Sequence, residues 1–431
     1  MGSHDDIKRE IARKVAEVER ALFEHMDANR RLAIVKAPPG SGKTHLLIKA
    51  VVHAHRRKLR VAVACQTNAQ ADSVCQRLAE DHPDIAVIRF ASGGSDERSL
   101  GRSVTWVTSS HDLPTGPCVV VGTTAKWGLV EIHEPFNILF VDEAWQMAWK
   151  DFMLCGQVAS RFVLIGDPGQ IPPVITLDVS RWETSPRPPH FPAPEVILRD
   201  GGLGALQLEL PASRRLPHDA VDLIRPFYDF PFDAYAVPGE RAVLAGRGSR
   251  GVEDRAIDLL SERSVAGVTV PTPSGGPPLE QDKEMAALIA QLTQRILARD
   301  AQLQMNGRRR PIGPSDIGIA ATHRAMNGAI ELALPSKLRG AVKVDTAERW
   351  QGLERGLMIV VHPLSGVVTP SAFDLETGRL CVMASRHLCG LIVVSRDHLG
   401  GTLEVFIPSA AQAIGRPDVT GRGHAQHLGF W

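Results

Sequence analysis

The chain has 431 residues, 49 of them basic and 48 acidic, so its formal net charge is +1. Hydrophobic residues make up 44% and charged residues 23%, which are ordinary values for a globular protein and exclude a disordered or fibrous chain. The balanced charge excludes a general attraction to polyanions, so any site for phosphate or nucleic acid has to be local. The length fits two domains of about 200 residues each.

Cysteine usage and hydropathy bear on the cellular location. Six cysteines are spread along the chain without a CxxC pair, which argues against a zinc site or a disulfide framework. A reducing, cytoplasmic environment fits this pattern. No apolar run approaches the roughly 18 residues that a membrane-spanning helix needs.

The first half of the chain alternates between two kinds of hydrophobic pattern. Residues 7–22 carry apolar side chains at helical spacing, which predicts one amphipathic helix before the first strand. Short β-branched runs then alternate with helix-like segments, and this order predicts a mostly parallel sheet. These runs are 32–35, 61–64, 85–88, 119–121, 138–141 and 163–165.

The second half repeats this organisation after a proline-rich segment. Residues 184–194 include five prolines and read as a linker, so we expect domains over 1–205 and 206–431. Strands are predicted at 268–270, 317–320, 342–344, 358–361 and 391–394. A helix between the first two has an apolar stripe formed by Met285, Leu288, Ile289, Leu292 and Ile296. The predicted fold class is α/β, with two sheets in tandem.

A glycine-rich loop follows the first predicted strand. The stretch APPGSGKT at 37–44 precedes a helical run, in the strand, loop and helix order of a phosphate-binding loop. Its backbone amides are expected to surround phosphate, with Lys43 reaching the β- and γ-phosphates and Thr44 offering a hydroxyl to Mg²⁺. The usual first glycine is Ala37 here. The nucleotide-binding residues we predict are Pro39, Gly40, Ser41, Gly42, Lys43 and Thr44.

Two acidic residues end a later strand. In ILFVDEAWQ, Asp142 and Glu143 come directly after an apolar run. A P-loop ATPase needs one carboxylate to hold Mg²⁺ and one to activate water, roles that we expect for Asp142 and Glu143 respectively. A solvated sheet edge is the alternative explanation. The next strand end, VLIGDPGQIPP, supplies Gln170, which can sense the γ-phosphate.

Taken together, these three stretches resemble motifs I, II and III of superfamily 1 helicases. DEAWQ and GDPGQIPP are similar to the Upf-like and RecD-like branch. Further stretches are similar to the remaining motifs: VAVACQTNAQADSV at 61–74 (Ia), VVVGTTAKW at 119–127 (Ic), LPASRRLP at 210–217 (IV), DIGIAATHRAMN at 316–327 ("TPYRAQ"), VDTAERWQGLER at 344–355 (V) and RLCVMASRHLCGLIVVS at 379–395 (VI). This resemblance implies ATP bound between two tandem RecA-like P-loop domains.

The resemblance also implies positive charge from the second domain at the γ-phosphate. Arg386 in motif VI and Arg215 in motif IV are the implied arginine fingers. Arg215 is preferred over Arg214 because a Leu-Pro pair follows it, as in the family pattern. For either arginine the alternative is a surface ion pair.

Other motifs imply contacts to the nucleotide cleft and to nucleic acid. Motif V implies that Gly352 and Glu354 complete the cleft and that Thr346 faces the nucleic-acid backbone. Small polar side chains in the other motifs are implied phosphate contacts, although each could equally be a helix cap or turn residue. They are Thr67, Asn68, Thr123, Thr124 and Thr322.

Two departures from the family pattern affect the expected activity. No glutamine precedes Gln66, so the adenine-reading Q motif is missing, and Arg214 stands where the family has a base-stacking tyrosine. We therefore predict loose base selectivity, with ATP and other NTPs as substrates. The short spacing between motifs leaves no room for a large accessory domain, which predicts a minimal motor that depends on a protein partner to separate a duplex.

The sequence thus favours an ATP- and Mg²⁺-dependent translocase or helicase on single-stranded DNA or RNA. The Upf-like resemblance implies 5′ to 3′ movement. The alternative is a regulatory NTPase that signals to a protein partner without unwinding. A P-loop kinase is disfavoured because it leaves motifs IV to VI unexplained.

Overall fold

The computed structural model describes residues 4–93, 100, 103–175, 178–182, 184–246, 248, 251–408 and 419–431. The structure described below is confined to these ranges. None of the helices in them is long and apolar enough to cross a membrane.

The first half forms one eight-stranded sheet in which every pairing is parallel. Its strands are β1 Leu32–Lys36, β2 Val61–Cys65, β3 Val87–Phe90, β4 Val104–Val107, β5 Val119–Thr123, β6 Ile138–Val141, β7 Phe162–Gly166 and β8 Leu206–Glu209. Their order across the sheet is β4-β3-β5-β2-β6-β7-β1-β8. The helices are α1 His4–Asp27, α2 Lys43–Arg56, α3 Asn68–Asp81, α4 Thr124–Leu129, α5 Trp149–Leu154 and α6 Ala193–Arg199.

Both faces of this sheet are buried, which is why its strands are continuous hydrophobic runs. Val61 and Val63 belong to the core on one face, whereas Ala62 and Ala64 belong to the core on the other. In a parallel sheet the carboxyl ends of all strands lie at the same edge. The motif residues after β1, β2, β5, β6 and β7 therefore share one edge of the sheet.

Two strands of this sheet, β4 and β8, were not predicted, and the bounds of a third, β3, differ from the prediction. β3 begins two residues later than expected, and β4 was missed because only two of its four residues are buried. β8 pairs with β1 although it lies beyond residue 205, so the first sheet extends past the predicted domain boundary. The division of the chain into domains remains a prediction, and β8 is the reason to move its boundary to the end of that strand.

The second half forms a five-stranded sheet, again parallel throughout, in the order β12-β18-β17-β15-β16. Its strands are β12 Val265–Val270, β15 Ile317–Ala320, β16 Lys343–Asp345, β17 Arg355–Val361 and β18 His387–Arg396. The helices are α7 Ala220–Ile224, α8 Val252–Leu260, α9 Lys283–Ala298, α10 Arg324–Ala333, α11 Ala347–Trp350, α12 Gly378–Ala384, α13 Leu399–Val405 and α14 Val419–Phe430. In α9, four of the five predicted stripe residues are buried and Leu288 packs against them.

Two smaller sheets join these halves. β9 Ala212–Ser213 pairs with β10 Asp233–Ala234, and β11 Arg241–Leu244, β13 Gln302–Met305 and β14 Arg308–Pro311 form an antiparallel sheet. The β13–β14 hairpin turns at Asn306 and Gly307, which both have positive φ. Asn-Gly is the strongest short-range hairpin signal in a sequence, so this element could have been predicted.

The structure confirms the predicted fold class, two parallel α/β sheets in tandem, each covered by helices. Motif segments connect the two halves, and the loop after β7 contributes Ile171 to the hydrophobic core of the second. The edge of the first sheet that carries the motifs therefore faces the second half of the chain.

Candidate nucleotide site

The phosphate-binding loop connects β1 to α2, as predicted. Gly40 and Gly42 have φ of 69° and 90°, values that side chains rarely allow, and Gly42 caps the helix. A methyl group on Gly40 would lie 2.3 Å from Cβ of Arg215, so only glycine fits there. The loop ends at the amino terminus of a 14-residue helix, where backbone N–H groups and the helix dipole favour an anion.

Three side chains of the loop suit a nucleoside triphosphate and its metal. The Ser41 hydroxyl oxygen is buried and has no hydrogen-bond partner among the described residues, so it is available to a phosphate oxygen. Lys43 and Thr44 are half-buried on the first turn of α2. These residues fit the nucleotide and the Mg²⁺ that the sequence predicted: Lys43 would hold phosphate, and Thr44 with Asp142 would hold the metal.

Asp142 and Glu143 lie at the end of β6, directly opposite Lys43. Lys43 Nζ is 2.9 Å from Glu143 Oε1. Glu143 has a left-handed backbone, with φ of 52° and ψ of 46°, a conformation that is strained for a residue with a side chain. Gly166 at the end of β7 permits this turn, because a methyl group there would be 2.7 Å from the amide nitrogen of Ala144. The two acids are therefore positioned by the sheet and do not form a solvated edge.

Burial controls the protonation of these groups. Burial, followed by the charge of Glu143, raises the pKa of Asp142 to about 7. Burial alone would lower the pKa of Lys43, but the charges of Glu143, Asp167 and Asp142 together raise it. Lys43 therefore remains protonated at neutral pH, and a cation near Asp142 would favour its ionised form.

Asp167 is the first residue after β7. Its carboxylate accepts hydrogen bonds from Gln170 Nε2 at 2.6 Å, the Gly169 amide at 3.0 Å and the Tyr228 hydroxyl at 2.8 Å. Burial raises the pKa of Asp167. The predicted sensor, Gln170, is thus held beside the cleft by Asp167. Tyr228 belongs to no motif that the sequence revealed.

The two predicted arginine fingers reach the same cleft from the second half of the chain. Arg215 donates to Glu354 Oε2 at 2.9 Å and to the Ser385 carbonyl at 3.3 Å. Arg386 is only 1% exposed, and its Nε and Nη2 atoms have no hydrogen-bond partner within the described part of the chain. Burial, and then the charge of Arg215, lowers the pKa of Arg386 to about 10. A buried cation without a partner is costly to hold, and an anion in the cleft would relieve that cost.

Motif IV contacts backbone carbonyls of the phosphate-binding loop. The Arg214 amide donates to the Gly40 carbonyl at 2.9 Å, and the Ser213 hydroxyl donates to the Pro39 carbonyl at 2.6 Å. The Arg214 side chain packs over the Tyr235 ring, whereas Arg215 turns towards the cleft. The preference for Arg215 over Arg214 therefore agrees with the side-chain directions.

The motif V residues lie beside this arginine. Glu354 is half exposed and pairs with Arg215. Gly352 has φ of 77° in the turn between α11 and β17, a position that favours glycine. The structure thus places Glu354 beside Arg215, and Gly352 lies in the turn that precedes Glu354.

The predicted nucleic-acid contacts of the first half are adjacent, but they already have protein partners. Cys65 and Thr123 are register partners in β2 and β5, so the two motifs share one edge. Thr67 and Thr123 are helix caps that accept from the backbone amides of Gln70 and Lys126. The Asn68 side chain accepts from Arg89, and the Thr124 hydroxyl donates to the Cys65 carbonyl. A contact to nucleic acid would have to share these groups.

The two predicted nucleic-acid contacts of the second half, Thr322 and Thr346, lie at the corresponding edge of the second sheet. Thr322 follows β15, and its hydroxyl oxygen is buried without a hydrogen-bond partner in the described ranges. Thr346 follows the neighbouring strand β16 and precedes α11. Trp127, the last residue of the stretch similar to motif Ic, is fully buried and donates to the Val63 carbonyl, so it is a packing residue.

The fold and the site define a P-loop NTPase. A glycine-rich loop, two strand-end acids and a glutamine face two arginines that the other half of the chain supplies. Residues 16–181 match the family described as AAA domain, which covers the phosphate-binding loop and both acidic strand ends.

Known proteins with similar sequences are helicases. The chain is 25% identical over 359 residues to the RNA helicase Mov10l1 of Mus musculus, which covers 76% of this chain and 29% of that protein. It is 37% identical over 71 residues to a Schizosaccharomyces pombe helicase required for RNAi-mediated heterochromatin assembly, covering 16% of this chain and 7% of that protein. The chain thus spans less than a third of the length of these relatives. These matches and the motif series support a relationship to superfamily 1 helicases.

The chain also aligns with a solved structure. The arterivirus nonstructural protein 10 helicase aligns with a TM-score of 0.46 at 16% identity, over 90% of this chain and 64% of that one.

Proposed function

We propose that this chain is an NTP-driven translocase or helicase on single-stranded nucleic acid. The observation that carries the proposal is Arg386, a fully buried guanidinium with unpaired nitrogens, which the second sheet places in the cleft of the first. Such an arrangement lets nucleotide binding and hydrolysis change the fit between the two halves, which is what a motor requires. The proposal assigns the chain to the Upf-like and RecD-like branch, with 5′ to 3′ movement.

In this proposal the first half of the chain supplies the groups that bind and activate. Lys43 turns from Glu143 to the β- and γ-phosphates, while Asp142 and Thr44 would hold Mg²⁺. Glu143, once released, orients and deprotonates the attacking water. Bound Mg²⁺ supplies charge neutralisation at the phosphates.

The second half supplies charge stabilisation. Arg386 and Arg215 face the γ-phosphate and stabilise the charge that spreads over its oxygens in the transition state. Gln170 changes partner from Asp167 to the phosphate and so reports its presence. Gly352 and Glu354 close the cleft beside Arg215. The absence of the Q motif supports the use of other NTPs besides ATP.

The strand is proposed to cross the edges that carry the motif threonines. Thr67, Asn68, Thr123 and Thr124 would act for the first sheet, and Thr322 and Thr346 for the second. Because the relative Mov10l1 is an RNA helicase, RNA is the first strand to test, with DNA beside it. A protein partner is proposed for duplex separation, since the described structure adds only a two-stranded and a three-stranded sheet to the two cores. Six free cysteines support a cytoplasmic location.

Hydrolysis measured against a panel of single- and double-stranded DNA and RNA tests this proposal. We expect single strands of one kind to raise kcat of the purified chain, with Mg²⁺ required. ATP, GTP, CTP and UTP at matched concentration test the loose base selectivity, which a large preference for ATP would contradict. A rate that no strand changes would overturn the motor and leave a regulatory NTPase acting on a protein partner.

A further inference from the structure

Tyr228 lies outside every motif, in the segment between α7 and β10, yet it reaches the nucleotide cleft. We propose that Tyr228 is a positioning residue that ties the loop after β7, with its phosphate sensor Gln170, to helix α12 and so to Arg386. The inference rests on the proposed NTPase function and adds the route by which the two halves of the site respond to each other.

The hydroxyl of Tyr228 joins two groups that lie on different halves of the molecule. It donates to Asp167 Oδ1 at 2.8 Å and lies 3.5 Å from Cys381 Sγ in α12. Burial raises the pKa of Tyr228 well above its ordinary value, so the hydroxyl stays protonated and remains a donor to Asp167. The Cys381 thiol can donate to the same oxygen. A continuous chain of hydrogen bonds therefore runs from α12 to Asp167.

The second oxygen of Asp167 completes the connection to the sensor. Gln170 Nε2 donates to Asp167 Oδ2 at 2.6 Å, so the same carboxylate holds Gln170 and Tyr228. If Gln170 turns to a phosphate, Asp167 loses that donor, and its hydrogen bond from Tyr228 strengthens in the buried site. Phosphate binding in the cleft therefore changes the strength of the hydrogen bond that the Tyr228 hydroxyl donates to Asp167.

Two glycines show how closely these segments fit. A methyl group on Gly169 would lie 2.5 Å from Cζ of Tyr228. A methyl group on Gly378, the first residue of α12, would lie 2.8 Å from the carbonyl oxygen of Gln170. The loop after β7 is therefore held between the Tyr228 ring and the start of α12, with no space for either to move independently.

Packing fixes the ring from the other side. Tyr228 makes edge contacts with Phe230 and Phe232 at centroid distances of 5.5 and 5.1 Å. Ile171, from the loop after β7, is 5% exposed in the same core as Cys381. A shift of the loop is thus transmitted to α12, and Arg386 follows the end of that helix by two residues.

The test compares Tyr228→Phe with Tyr235→Phe in the full chain. Both variants remove one hydroxyl and keep the ring, and Tyr235 is the other tyrosine of the chain, with its ring beside Lys8 and Arg214. The measured quantity is the ratio of the hydrolysis rate with saturating single strand to the rate without it. A general loss of structure lowers both rates, whereas loss of the connection lowers their ratio.

We expect Tyr228→Phe to lower this ratio about tenfold, the size expected for one hydrogen bond to a charged group, with KM for ATP changed by less than about twofold. Tyr235→Phe should keep the wild-type ratio. A folded Tyr228→Phe protein with the wild-type ratio overturns the inference. Wild-type chain that no strand stimulates overturns the proposed function instead, so the two failures are distinguishable.

A second pair of variants decides the question if Tyr228→Phe does not fold. Cys381→Val removes the thiol at similar volume, and Cys381→Ser keeps a donor to Tyr228. A lower stimulation ratio in Cys381→Val that Cys381→Ser restores supports the inference. Equal ratios in the two variants overturn it.

Discussion

The two sides of the nucleotide cleft are built in different ways. On the first side, Lys43, Asp142 and Asp167 all follow neighbouring strands of one parallel sheet, so the sheet alone brings them together. On the second side, Arg215 and the Ser385 carbonyl meet across 170 positions of sequence. The first side therefore depends on neighbouring strands of one sheet, and the second on contacts between segments that are distant in the sequence. This difference predicts that variants of the first side act locally, whereas variants of the second side also disturb the fit between the halves.

Removal of the buried guanidinium should have the largest effect. Arg386→Ala is expected to lower kcat by about 10³- to 10⁵-fold, as loss of an arginine finger does in other phosphoryl-transfer sites. Single-turnover hydrolysis measures this, and equilibrium binding of a fluorescent ATP analogue checks that the site remains. Arg386→Lys keeps the charge without the planar fork and should recover little activity. Hydrolysis within about tenfold of wild type in Arg386→Ala would remove Arg386 from the site.

The corresponding variant on the first side is Glu143→Gln. We expect kcat to fall about 10²- to 10⁴-fold, because the amide cannot accept the proton of water. Nucleotide binding should be retained or tighter, since Lys43 loses its competing partner at 2.9 Å. Isothermal titration with a non-hydrolysable ATP analogue measures the binding. Normal turnover in this variant would show that the base is another residue.

Gly40 lies where the two sides touch, and Gly42 provides the matched control. Both have positive φ, but a methyl group meets Cβ of Arg215 at 2.3 Å only at Gly40, and meets nothing within 4 Å at Gly42. Gly42→Ala should cost about 1–3 kcal/mol of stability from backbone strain, and Gly40→Ala should cost more because motif IV must also move. Denaturant unfolding of both proteins checks this. Equal losses of unfolding free energy in the two variants would show that motif IV moves away from Gly40 without an energetic cost.

The last effect is absent at neutral pH and appears only on acidification; it concerns helix α14. His427 of α14 is fully buried, and burial lowers its pKa from 6.5 to about 4. The folded state disfavours protonated His427, whereas the unfolded state takes up the proton near pH 6.5. The free energy of unfolding therefore has its full value above about pH 6.5 and falls by up to about 3 kcal/mol as the pH drops towards 4. Burial also lowers the pKa of His362, which His427 contacts at 3.5 Å. His427→Phe should flatten the dependence of unfolding free energy on pH; an unchanged slope would contradict this assignment.

Sequence reasoning succeeded where one element determines a feature. The phosphate-binding loop, Asp142 and Glu143 follow buried strands, so hydrophobic runs and their terminal residues were sufficient to place them. It failed where tertiary packing decides. Nothing around Tyr228 marks it as part of the cleft, because its partner Asp167 lies 61 positions away and only the folded chain brings them together.

The misjudged strands have a similar explanation. β4 carries one exposed residue and one half-exposed residue among its four, so its hydrophobic signal is weak. β8 alternates half-buried and exposed residues at the sheet edge, unlike the central strands, so no continuous hydrophobic run marked it beyond the proline-rich segment on which the boundary was based. The β13–β14 hairpin, in contrast, has a recognisable Asn-Gly turn. The buried state of Arg386 had no sequence signal beyond its position in a motif.

Burial of Arg386 also affects how the protein should respond to ionic strength. Salt screens exposed charges over a Debye length of about 8 Å at physiological concentration, but it reaches a buried guanidinium far less. Nucleic acid held through surface groups should therefore dissociate readily as salt is added. Nucleotide held by Arg386 should remain bound at the same salt concentrations. The two ligands of one cleft would then be separable by salt alone, with hydrolysis without nucleic acid persisting at concentrations that abolish its stimulation.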